Sequence, residues 1–249
     1  MPNGTGSRDP GEPSAASWSR SDTFTRAMIH LYQITGSSSF AARAALEEAG
    51  AAYEAVNVHP RNRDVIPGFA ETNPLKRVPA LHDGDVRVYE TGAVLLYIAD
   101  RFPESGLIPP IGDPRRADVY RWIMWTANTL HGAWWPLMMP SFLTSDEAGA
   151  DGIRSKGLGA MAQHGAYLDT QLDGREWCIG DQFTIADIYL YMLVGWQSFV
   201  DDVQVGGAPV QEHFTRVGAR PAISRARELD DLKPDFSRNH PDMRGGEKI

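Results

Sequence analysis

Three consecutive hydroxyls, Ser37, Ser38 and Ser39, stand immediately ahead of the helical run FAARAALEEAG, with Thr35 close upstream. Hydroxyls at a helix start cap its free N–H groups, and beside the positive end of the helix dipole they can also donate to an anion. A second helix start, Glu90-Thr91 before AVLLYIADRF, offers the same choice. The pair either caps the helix, or the N–H groups hold a small ligand's carboxylate while Glu90 takes its ammonium group. Between them, Val78-Pro79 opens a short strand, where a residue without an N–H is tolerated. A cis bond there would expose the Val78 N–H and C=O to an extended peptide lying alongside. His131, in the apolar run WIMWTANTLHGAWWPL, is either a satisfied core histidine or a base and donor when neutral.

These groups need a scaffold, and the hydrophobic pattern supplies one. Met28 to Tyr32 reads as a buried strand, the Ala-rich run as a helix ended by Gly50, and Tyr53 to Val58 as a second strand parallel to the first. A poorly defined helix follows. Ala80 to His82 and Val86 to Val88 then flank Asp83-Gly84-Asp85, a hairpin signal. The order is that of an α/β thioredoxin-like domain over residues 27–106. Past a Pro- and Gly-bearing linker, 107–114, the texture changes to an all-α helical domain over 115–232. Its expected helices run from Arg115 to about Met138, Ile153 to about Leu172 and Ile185 to about Val200, with shorter ones at 208–217 and 221–231. Thr184 and Asp187 form a capping-box pattern with Asp in place of the usual Glu. Residues 1–26 and 233–249, polar and rich in Gly, Pro or Ser, are expected to be a flexible extension and a loosely held tail.

The run N-P-x-x-x-V-P-A-L at 73–81, followed by E-T-x-A-V-x-x-Y-I-A from Glu90, resembles the glutathione-binding half of the cytosolic glutathione transferases. FTIADIYL and EWCIGDQFTIADIYL extend the likeness into the helical half. The His131 helix and Trp196 are similar to the bacterial beta class in particular. The resemblance implies that the Val78 backbone pairs with the cysteinyl part of glutathione, that Pro79 joins the glutathione-binding set, and that Glu90 and Thr91 bind the γ-glutamyl end. Arg61 stands where the beta class has a Lys for the glycine carboxylate, a task a guanidinium performs bidentately. Arg77 faces solvent or makes a rim contact, and Ser39 joins the glutathione-binding set. The departure lies at the chemistry: LYQITGSSS replaces L-Y-x-x-P-G-A-C-S, putting Ser38 where the beta class has Cys. A mixed disulfide with glutathione is thereby lost. A hydroxyl donor to the glutathione sulfur remains, from Ser38 first, then Ser37 or Thr35, with His131 as a further catalytic candidate.

Composition narrows the remainder. Apolar residues at 42% can build a sizeable core, and a net charge of −8 argues against a nucleic-acid surface. No run approaches a membrane span, and the single cysteine, Cys178, forms no intrachain disulfide, so a cytoplasmic setting is expected. No metal-binding spacing occurs, and none is expected to be bound. Trp134, Trp135, Met138 and Trp196 are candidates for an adaptable electrophile pocket. The expected activity is attack of activated glutathione on an aromatic or conjugated hydrophobic electrophile. Open alternatives are a glutathione-dependent lyase, dehalogenase or isomerase, and a non-catalytic binder of glutathione or apolar ligands. The resemblance also implies a homodimer.

Overall fold

The computed structural model describes residues 28–59 and 61–237; the expected N-terminal extension, and the tail past residue 237, lie outside them. Strands β1 (Ile29–Gln33), β2 (Tyr53–Asn57), β3 (Ala80–Asp83) and β4 (Val86–Tyr89) form one sheet in the order β2-β1-β3-β4. β1 pairs parallel with β2 and antiparallel with β3, and β3 and β4 form the Asp-Gly hairpin, its Gly84 at φ 60°. The thioredoxin-like reading holds. β1 and β3 are the inner strands, and all of β1 except His30 is buried.

Helices α1 (Ser39–Glu48) and α3 (Thr91–Arg101) cover one face, and the short α2 (Phe69–Thr72) covers the other through Tyr32, Val58, Phe69 and Ala80. Ala41, Ala42, Ala44 and Ala45 of α1 are fully buried. Small side chains suit a helix packed between the sheet and the helical half, because they let backbones approach closely.

The second half contains α4 (Arg115–Trp125), α5 (His131–Ala133), α6 (Trp135–Met138), α7 (Ala150–Leu172), α8 (Ile185–Gly195), α9 (Ala208–Gly218) and α10 (Pro221–Leu229). The continuous helix expected from Arg115 to Met138 is interrupted twice. A π turn spans Thr126–Leu130 immediately before His131, and Pro136, lacking an N–H, starts α6 afresh. Likewise α8 stops at Gly195, and Trp196–Phe199 tightens into a 3-10 turn. α8 is buried along its whole length, so it forms the spine against which α1, α3, α4 and α9 pack. Phe236, inside the stretch expected to be loosely held, is fully buried and packs edge-on against Phe40 of α1 with centroids 4.8 Å apart.

Candidate active site

The serine cluster divides its tasks. Ser37 does the capping: its Oγ accepts from the Ser39 N–H at 3.2 Å, and its carbonyl accepts from the Phe40 N–H. Ser39 is fully buried and locked, its Oγ donating to the Ile34 carbonyl at 3.0 Å and accepting from the Ile34 N–H at 3.1 Å. Ser38 sits at the N-cap position of α1 without capping it. Its hydroxyl instead donates to the Val78 carbonyl at 3.2 Å. The α1 N-terminus and the Val78 edge are therefore within one hydrogen bond of each other. A carbonyl oxygen has two lone pairs, so Val78 retains room to accept a ligand N–H.

The Val78-Pro79 bond is cis. The Ala80–Tyr89 pair closes the β3–β4 ladder, so Val78-Pro79 leads into β3 and Glu90 leaves β4 at the same end of the sheet. Glu90 holds φ at 71°, a left-handed conformation costly for a residue with a Cβ, and no side chain caps α3. Of the two readings of Glu90-Thr91, capping is not the one seen. Thr91 is buried at the first position of α3.

The helical half supplies the other wall. His131 Nδ1 lies 3.0 Å from the Tyr189 hydroxyl, and its ring meets Trp196 edge to face with centroids 5.1 Å apart. Burial pushes the His131 imidazole down to about 4, so it is neutral near pH 7. The Trp196 indole N–H donates to the Gly36 carbonyl at 3.1 Å, while the Gly36 N–H donates to Asp230 at 2.8 Å. Gly36, at φ 71°, is thus held on both sides by the helical half, and with it the loop carrying Thr35 and the serines. Asp230 is fixed in turn by Arg43 of α1 at 3.4 Å, both side chains being buried.

A partial ring of contacts results, with Ser38 joined to Val78 on one side and Tyr189 joined through His131 and Trp196 to Gly36 on the other. Trp134, buried, packs on Trp196 at 6.2 Å. Met138 is half-buried, whereas Trp135 is 44% exposed and is not part of this group of rings. Arg61 and Arg77 are exposed. Sequence reasoning missed Tyr189 and Asp230, although Tyr189 stands within the FTIADIYL run.

Away from this ring, the α8 capping box forms as expected. Asp187 accepts from the Thr184 N–H at 2.8 Å, and the Ala186 N–H donates to the Thr184 hydroxyl at 3.3 Å. Cys178, Asp187 and His213 bring ligand-type atoms within 4.8 Å of one another, a grouping that sequence spacing did not reveal. In the structure Asp187 accepts from the Cys178 N–H at 2.7 Å and from His213 Nε2 at 2.9 Å. Its carboxylate already serves as a hydrogen-bonded hub. Burial and the adjacent Asp187 push the Cys178 thiol well up, away from a reactive thiolate.

Comparison with known proteins agrees with this geometry. Residues 27–100 match the family model "Glutathione S-transferase, N-terminal domain". A sphingomonad glutathione S-transferase solved in complex with glutathione is 31% identical, with a TM-score of 0.72 over 82% of this chain and 100% of its own. The bacterial beta class enzyme of Sphingomonas chungbukensis is 30% identical, with a TM-score of 0.70 over 81% of this chain and 98% of its own. Glutathione S-transferase GstA of Escherichia coli O157:H7 is 27% identical over 208 residues, 82% of this chain and 100% of that protein. The chain belongs to the glutathione S-transferase family.

Proposed function

We propose that this chain binds glutathione along the Val78 edge and activates its thiol for attack on an aromatic or conjugated electrophile. The observation that carries the reading is the Ser38 to Val78 hydrogen bond of 3.2 Å, which joins the helix-start hydroxyl to the peptide-docking edge. A glutathione backbone paired with Val78 brings its sulfur beside Ser38. The hydroxyl then turns from the carbonyl to the sulfur, and with the α1 dipole it favours the thiolate. The γ-glutamyl carboxylate occupies the uncapped N-terminus of α3 with Thr91, Glu90 takes the ammonium group, and Arg61 reaches the glycine carboxylate. Ser37 and Ser39 shape the loop, Thr35 stands by as a second hydroxyl, and Arg77 lies at the rim. Neutral His131 serves as donor or base, and Trp134, Trp196 and Met138, with Trp135 further out, form the apolar side.

On this reading residues 27–106 form the glutathione-binding domain and 115–232 complete the electrophile pocket. The protein works in the cytoplasm as a homodimer; exposed Val86 and Tyr89 on β4, and Tyr120 and Met124 on α4, support a two-fold interface. No described helix is long and apolar enough to cross a membrane. The test is retention on immobilised glutathione, followed by conjugation of a chlorodinitrobenzene-type electrophile. Retention and turnover are expected; absence of both retention and a glutathione-induced rise in melting temperature would overturn the reading.

A further inference from the structure

Tyr32 and Ala80 belong to the face of the sheet that packs on α2. Side chains alternate along a strand, so His30 and His82, each two positions from those residues, share that face. The strand register makes them part of a polar row: Glu54 of β2 pairs with His30 of β1, His30 with His82 of β3, and His82 with Arg87 of β4. The two imidazole rings are 6.1 Å apart between centroids and tilted by 35°.

Each ring has one nitrogen facing a group that can only accept. His82 Nε2 lies 2.7 Å from the Gly84 carbonyl oxygen, so the neutral ring carries its proton there and keeps a lone pair on Nδ1. Glu54 Oε2 lies 3.4 Å from His30 Nδ1, which draws that ring's proton to Nδ1 and leaves the lone pair on Nε2. A carbonyl or carboxylate behind one nitrogen is how metal-ligating histidines are oriented and made more basic. The side chains of His30 and Glu54 are 36% and 63% exposed, so an ion reaches them from solvent. The buried grouping around Asp187 differs, because there His213 Nε2 is already spent on the carboxylate.

We propose that His30 and His82 form a site for a divalent late transition ion such as zinc, which binds His30 Nε2 and His82 Nδ1, with water completing its coordination. Metal to imidazole bonds of about 2.0 to 2.1 Å at a tetrahedral ion place the two ring centroids roughly 5 Å apart, which a small rotation of these side chains reaches. Glu54 and the Gly84 carbonyl hold the rings from behind, and the Glu54 charge offsets that of Arg87. The ion ties β1 to β3. Local sequence spacing hides the pair, because its ligands come from separate strands.

The experiment is calorimetric titration of the untagged full chain with zinc chloride, without glutathione or another thiol. One saturable site per chain is expected, together with a zinc-dependent rise in melting temperature. H30Q and H82Q should each abolish both effects, and E54Q should weaken binding by about tenfold, the cost of losing a group that orients a ligand. Cobalt(II) should bind without the near-ultraviolet charge-transfer band of a thiolate ligand. No binding by the wild type, or undiminished binding by H30Q and H82Q, overturns the proposal. A thiolate band would move the metal to Cys178 and overturns it as well. Should either glutamine variant fail to fold, E54Q and the cobalt spectrum of the wild type decide, and unchanged affinity in E54Q contradicts the assignment.

Discussion

Two helices in this chain begin with a hydroxyl and a carboxylate close together, and they use them in opposite ways. At α8, Thr184 and Asp187 close on each other and on the backbone, and Asp187 also holds Cys178 and His213. That helix end is complete within the protein. At α3, Glu90 is held at φ 71° and caps nothing, while Thr91 is buried. The sequence therefore contains a working capping device and does not deploy it at the start of α3. In the proposed docking, this uncapped N-terminus beside a strained glutamate receives the ligand's charge.

The contrast is broken most forcefully at α8. Asp187→Ala removes the acceptor for several buried donors at once, and urea unfolding should show a loss of roughly 3 to 5 kcal/mol. Glutathione affinity of the folded fraction should stay within about threefold, since nothing at the ring of contacts changes.

His131 offers a second lever through pH. Its pKa is held at about 4 when folded and returns to about 6.5 when unfolded, so the unfolded chain binds the proton more readily. Stability is unaffected above about pH 6.5 and falls as pH drops from there toward 4, by up to about 3 kcal/mol. Urea unfolding across that window should show the decline, and H131N should flatten it.

Thr91→Val inverts the Asp187 result. Unfolding free energy should change by no more than the approximately 1 kcal/mol of one hydrogen bond. Calorimetric affinity for glutathione should fall by about 1.5 to 3 kcal/mol, tenfold or more, because a bond to a charged carboxylate is lost. A variant that lost stability and kept affinity would mean that α3 is capped after all.

Much of this was legible because it is local. The Asp-Gly hairpin, Gly50 after α1 and the Thr184-Asp187 box are short-range patterns whose physics is complete within a few residues. The candidate serines were legible as a group, but their division of labour was not. Which hydroxyl caps and which reaches Val78 depends on a segment 40 residues away, just ahead of β3. Tyr189 and Asp230 carry no local signal, because their partners His131 and Gly36 come from distant segments. Phe236 escaped for a similar reason: one aromatic in a polar tail says little until Phe40 and Tyr191 make its pocket. The breaks around His131 were half legible, Pro136 in plain view and the π turn hidden in an ordinary helical pattern.

The proposed chemistry requires Ser38 to meet the sulfur of glutathione docked at Val78. Thiolate absorbance of the bound ligand, followed against pH in the wild type and in Ser38→Ala, tests it most directly. The bound thiol should ionise well below its free value of about 8.5. The substitution should raise that pKa by roughly one unit, about 1.4 kcal/mol. A bound thiol that ionises like free glutathione, or one indifferent to the loss of Ser38, would contradict the assignment.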